Sequence, residues 1–97
     1  MKVQEVISRV NNGYFNCIFS CRKSLPREVK EVANNINIDE HLWYIITTSV
    51  YKCEDGFVGV TGPSSLKSES MGWSDTDEWC TAEGYEAVPS IIYKPKS

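Results

Sequence analysis

Four cysteines, one histidine and a run of carboxylates are the residues of this chain whose types and spacing suit chemistry. Cys17 and Cys21 are separated by three residues. On a helix that spacing sets two thiolates side by side for a metal; on a strand it places them on one buried face with Phe15 and Phe19. Structural zinc needs four ligands, usually from paired C-x2-C knuckles, whereas Cys53 and Cys80 stand alone with His41 to assist. The cysteines therefore read as small buried hydrophobes, and no metal or other cofactor is expected. His41 follows Asp39 and Glu40, which suits a pH-sensitive contact or a Cys/His nucleophile pair. No cysteine, however, sits at a helix start or glycine elbow that would lower its pKa, and no third orienting residue is evident. Without a complete nucleophile, base and orienter, no catalytic residue is assigned and the protein is expected not to be an enzyme.

Asp75, Asp77 and Glu78, with Ser74 and Thr76, imitate the oxygen-rich start of a calcium loop. The glycine that turns such a loop is missing, and Trp79 and Cys80 occupy positions where ligands or water belong. The glycine-rich run Gly56–Gly62 is followed by Pro63 instead of the GK[ST] ending of a phosphate loop. It also lacks the basic residue and exposed stacked aromatics of an RNA-binding strand. Gly59 within it is better explained by close packing of an aromatic such as Trp43, or by a bulge. The basic cluster Arg22, Lys23, Arg27 and Lys30 is interleaved with Glu28 and Glu31 and reads as a solvated surface.

The segment Glu69 to Glu86 stands apart. It carries Glu69, Asp75, Asp77, Glu78, Glu83 and Glu86 with no Lys or Arg, interleaved with Met71, Trp73, Trp79 and Tyr85. The whole chain has a net charge of only -3, so the remainder is mildly basic and the molecule is electrically two-sided. Trp, Tyr and Met are enriched in contact hot spots, and a ring of carboxylates steers a basic partner. Trp73, Asp75, Asp77, Glu78, Trp79, Glu83 and Glu86 form the expected contact set of a small protein-binding module. Its partner would be a protein with a basic surface. Where that surface binds nucleic acid, the carboxylates would imitate phosphates and the protein would act as an inhibitor. The competing expectation is a small-ligand pocket between sheet and helices, with Trp43, Tyr44, Tyr51 and His41 at its mouth. If the two tryptophans instead anchor the segment into the core, the acids reduce to a soluble fringe.

Length and composition bound these readings. A chain of 97 residues, 41% hydrophobic and 24% charged, makes one domain with a single core and no room for a deep walled cavity. The acidic balance disfavours direct nucleic-acid binding. Neither a signal-like apolar run nor a membrane-length segment is present, so a cytoplasmic protein with reduced thiols is expected.

The elements that must position the site follow from periodicity. Val3, Val6, Ile7 and Val10 predict a short helix stopped by Asn11, Asn12 and Gly13. Alternation over Tyr14 to Cys21 predicts a strand burying Phe15, Cys17, Phe19 and Cys21. Ser24 and Pro26 then open a helix to about Asn35, with its stripe at Leu25, Val29, Val32, Ala33 and Ile36. Leu42 to Lys52 reads as a central strand. Glu54, Asp55 and Gly56 make a tight turn into a returning strand, Phe57 to Thr61, broken by Gly62 to Ser65. Leu66 to Trp73 is a short strand or extended loop, and Tyr85 to Lys94 is a closing strand that Pro89 places at an edge or bulge. The expected fold is α+β: a mostly antiparallel sheet of four to five strands with two helices on one face, in the order α-β-α-β-β-(β)-β.

Overall fold

The structure, a computed structural model, describes residues 1–68, 70–76, 78–88 and 92–96. The first apolar stripe forms α1 (Val3–Gly13), which buries Val6 and Val10 completely. Each such valine is worth about 1.5–3 kcal/mol on leaving water. The helix start is tied down by the hairpin turn, because the Val3 N–H donates to Asp55 Oδ1 at 2.9 Å. Its end is turned by Tyr14 at φ 49°.

The strand expected over Tyr14 to Cys21 is not formed; Ile18–Ser24 is the helix α2. Cys17 caps it, with its Sγ accepting from the Ser20 N–H at 3.5 Å. Helical spacing buries Cys17, Ile18 and Cys21 together and turns Ser20, Arg22 and Lys23 outward. Alternation would have buried Phe19, which is exposed instead.

The helix expected from Pro26 to Asn35 is likewise replaced. Lys30–Glu40 is β1, an edge strand paired antiparallel with β2 (Tyr44–Cys53). Its asparagines decide the conformation: Asn35 at φ 52° and Asn37 at φ 51° occupy the left-handed region that this residue tolerates and a helix forbids. The ladder to β2 slips at three places along β1, as befits a bulged edge.

The hairpin forms as expected, with Gly56 at φ 153° leading into β3 (Gly56–Leu66). This strand runs on through Gly62 and Pro63, where a break was expected. Pairing of β3 with β4 (Thr81–Val88) has ended at Thr61, and the ladder to β2 steps from Pro63 to Ser65, so the missing proline N–H falls beside a bulge. A single 3-10 turn, Trp73–Thr76, follows. The closing strand is in fact two, β4 and β5 (Ile92–Pro95), joined antiparallel; Pro89 lies outside the described residues.

The result is an α+β domain with a curled five-stranded antiparallel sheet, ordered β1-β2-β3-β4-β5. The class and the number of helices among the described residues are as expected, while the second helix lies earlier in the chain and the order of elements is α-α-β-β-β-β-β. Val6, Val10, Ile18 and Cys21 of the helices pack on Tyr51, Cys53, Val58, Val60 and Ala82. On the opposite face Thr48 and Thr61 share a hydroxyl hydrogen bond of 2.7 Å, and the buried ring of Tyr85 covers Gly59. The curl lets Asn37 Nδ2 on β1 donate to the Tyr85 hydroxyl on β4 at 3.2 Å. Asn11 of α1 grips the free edge of β4, donating to the Ala82 carbonyl and accepting its N–H. No described helix is long and apolar enough to cross a membrane.

Candidate functional site

The chain between β3 and β4 crosses α2, and this crossing settles the direction of the two indoles. The Cys80 N–H donates to the Phe15 carbonyl at 2.7 Å, fixing the far end of the segment. Thr76 is buried and closes the 3-10 turn on itself: its Oγ1 donates to the Trp73 carbonyl at 3.0 Å and accepts the Glu78 N–H at 3.3 Å. Held this way, Trp73 is half-buried and meets Phe19 edge-on at 6.2 Å between centroids. Trp79 points outward. It is 52% exposed and stands edge-on to Tyr14, itself 68% exposed, at 5.8 Å and 82°. Such pairs are worth about 0.5–1.5 kcal/mol beyond the area they cover.

The carboxylates divide. Glu78 is half-buried, and its Oε1 accepts from the Tyr44 hydroxyl at 3.4 Å, which ties the segment to the start of β2. Asp75 lies in the 3-10 turn, while Glu69 and Asp77 fall outside the described residues. Glu83 is exposed on β4, but the alternation that sends Ala82 into the helix-side core puts Glu83 on the opposite face of the sheet. Glu86 sits across the ladder from Lys94, with the two side chains 3.5 Å apart. The structure thus holds Trp73, Glu78 and Trp79 against Phe19, Tyr44 and Tyr14 respectively, outside the sheet, and places Glu83 and Glu86 on β4. Tyr14 and Phe19 meet the two indoles without having been expected there, because an alternating strand would have used Phe19 in the core.

The residues considered for a pocket mouth separate as well. Tyr51 is buried near the far end of β2, where its hydroxyl accepts from Arg22 Nε at 3.3 Å. Burial raises its pKa, with the Arg22 bond acting against the rise. Trp43 is exposed and lines a shallow cleft of about 320 Å³ with Ser68, Ser70 and Met71. His41 stacks on Tyr44 at 4.6 Å, with its Nε2 3.2 Å from Asp39 Oδ2.

All four cysteines are free and buried. Cys21 and Cys80 face one another beneath the crossing; the neighbouring Cys21 thiol, with burial, holds the Cys80 thiol well above its ordinary range, while Cys80 draws Cys21 down. Burial and the nearby Asp55 also raise Cys53. Neither Cys80 nor Cys53 is a ready nucleophile. Among the described residues no group of three or more His, Cys, Asp or Glu side chains gathers to hold a metal. Comparison with known proteins finds no matching family model, and no curated protein or solved structure similar to this chain.

Proposed function

We propose that this protein is a non-enzymatic binding module whose contact face is the aromatic and acidic surface where the 67–80 segment crosses α2. The observation that carries the reading is Trp79: an indole held half in solvent against an exposed tyrosine, within a stretch of six carboxylates and no Lys or Arg. An anchored aromatic with a polar tip, rimmed by charge of one sign, has the chemistry of a contact hot spot for a positively charged protein. Trp73 and Phe19 back it, and Glu78 supplies a carboxylate whose position is fixed by Tyr44. If the partner surface is one that grips nucleic acid, the carboxylates take the place of phosphates and the module competes with the nucleic acid.

The test is affinity capture from native lysate at low and physiological salt, run with the wild type, with Trp79→Ala and with a triple Asp75→Asn, Asp77→Asn, Glu78→Gln variant. Retention should fall steeply with salt, because the screening length shrinks from about 30 Å at 0.01 M to about 8 Å at physiological ionic strength. Both variants should retain less at low salt. A partner held equally by all three proteins, or indifferent to salt, would remove the reading.

A further inference from the structure

A cleft of about 330 Å³ lies between α2 and the β1 edge of the sheet, near the lower end of the size range of small-molecule sites. The bulging of β1 makes the room: its ladder with β2 slips between Ala33 and Ile36, and Asn35 takes up the left-handed conformation there. Asn34 and Asn35 form one wall, and Ile18, Phe19 and Arg22 of α2 form the other. The floor is Thr47 and Ser49 of β2, which as residues are only 4% and 1% exposed.

Neither floor hydroxyl bonds to another group among the described residues. Yet no buried polar side-chain atom among the described residues lacks a partner, so both hydroxyls open into the cleft. β2 is otherwise built from β-branched and aromatic residues, and valine at either position would serve the sheet as well. Two hydroxyls turned into a cleft offer donor and acceptor positions to a hydrogen-bonding ligand.

We infer that this cleft binds a neutral, polyhydroxylated small molecule of monosaccharide size. Among the described residues Arg22 is the one formally charged lining group, and it is already engaged: a terminal guanidinium nitrogen pairs with Glu31 Oε1 at 2.7 Å, and Nε donates to Tyr51. An anion would meet the Glu31 carboxylate along with the guanidinium, so the site has no net charge to offer it. The remaining polar lining, Ser and Thr hydroxyls and Asn amides, both donates and accepts. That mixture matches ligand hydroxyls, which do the same, and not a donor-hungry carboxylate or phosphate. Ile18 and the exposed Phe19 ring give an apolar flank for the C–H face of a sugar ring. This inference shares the Phe19 ring with the protein-contact reading but uses neither Trp79 nor the carboxylates.

The experiment is a titration of the isotope-labelled protein, followed by amide spectra, with D-glucose, D-galactose, D-mannose and myo-inositol at millimolar concentration. Inorganic phosphate and glucose 6-phosphate are run in parallel. At least one neutral probe should shift the Asn34, Asn35, Thr47 and Ser49 amides saturably. A Thr47→Val, Ser49→Ala double variant should bind it about tenfold more weakly or worse, for two lost hydrogen bonds. Asn34→Ala, on an exposed edge strand, should weaken it about fivefold without touching the core. Silence from all four neutral probes, binding of the anions alone, or undiminished affinity in both variants would overturn the inference.

Discussion

Gly59→Ala is expected to destabilise the fold through a single contact, and the size of the effect follows from the sheet. Gly59 pairs with Val50 on one side and Glu83 on the other, and the ring of Tyr85 lies across it. A β-carbon added there would fall into the ring atoms Cδ1, Cε1 and Cζ. The ring has nowhere to go, being 5% exposed and bonded through its hydroxyl to Asn37. Overpacking of this kind costs about 1–3 kcal/mol. Straining the Asn37 bond as the ring is pressed aside adds up to about 1 kcal/mol, whereas replacing a strand glycine by alanine returns about 0.5–1 kcal/mol. The net is a loss of about 2 kcal/mol, equivalent to a fall in Tm of about 8–16 °C for a domain of this size.

The control is the same substitution in a Tyr85→Val background, which keeps a strand-forming residue but deletes every atom the new methyl would strike. There Gly59→Ala should be neutral or stabilising by up to about 1 kcal/mol, giving a coupling of about 2–3 kcal/mol between the two sites. Urea unfolding followed by circular dichroism measures all four proteins, with midpoints compared at a common slope. An equal loss in both backgrounds would refute the contact and with it the placement of Tyr85 over β3.

Asn11→Ala should cost about 1–3 kcal/mol, more than its exposed position on α1 suggests, because it strips both partners from the backbone of buried Ala82; faster exchange of the Ala82 amide would report it. Stability should be full below about pH 8 and decline as pH rises toward 10 and above. The Met1 amine (raised by its bond to Glu54), the Cys53 thiol (raised by burial) and the Tyr51 phenol (raised by burial) all hold their protons more tightly folded than unfolded. The unfolded chain therefore loses those protons first, and denaturant midpoints under reducing conditions at pH 7.5, 9 and 10 trace the fall; Glu54→Gln should flatten its earliest part. All four thiols should resist a bulky aromatic disulfide reagent in the native state and react together in guanidinium. Trp79→Ala should lower stability by less than Trp73→Ala, since Trp79 keeps about half its surface in water and Trp73 is packed on Phe19, a difference readable from paired thermal melts.

What the sequence makes legible is what local chemistry decides. Glu54, Asp55 and Gly56 specify their turn wherever they occur, and the stripe Val3, Val6, Ile7 and Val10 has one sensible period. Gly59 announces a close aromatic neighbour, though Tyr85 and not Trp43 supplies it. The stretch from Tyr14 to Asn35 is misread because its apolar residues satisfy two periods at once. Cys17 and Cys21 share a face in alternation, while Cys17, Ile18 and Cys21 share one on a helix, and the thiol cap at Cys17 is not a signal that composition offers. Leu25, Val29, Val32 and Ile36 are spaced for a helix, yet the backbone of β2 requires a partner along its outer edge, and a non-local ladder overrides a weak local preference.

That exchange of helix and strand governs the site as well. Were Tyr14 to Cys21 a strand of the sheet, Phe19 would be core and the acidic segment would close over nothing but solvent. Because α2 is a helix lying on β3, Phe19 is turned out to receive Trp73, and Tyr14 is left at the helix approach to receive Trp79. The run of carboxylates is visible in composition, but its division is not. Pairing of Glu86 with Lys94 depends on a hairpin that bends the chain back on itself, and the face taken by Glu83 depends on which neighbour enters the core. The proposed contact face therefore draws on the described part of the segment up to Trp79, where Trp73 meets Phe19 of α2 and the chain is not threaded into the sheet.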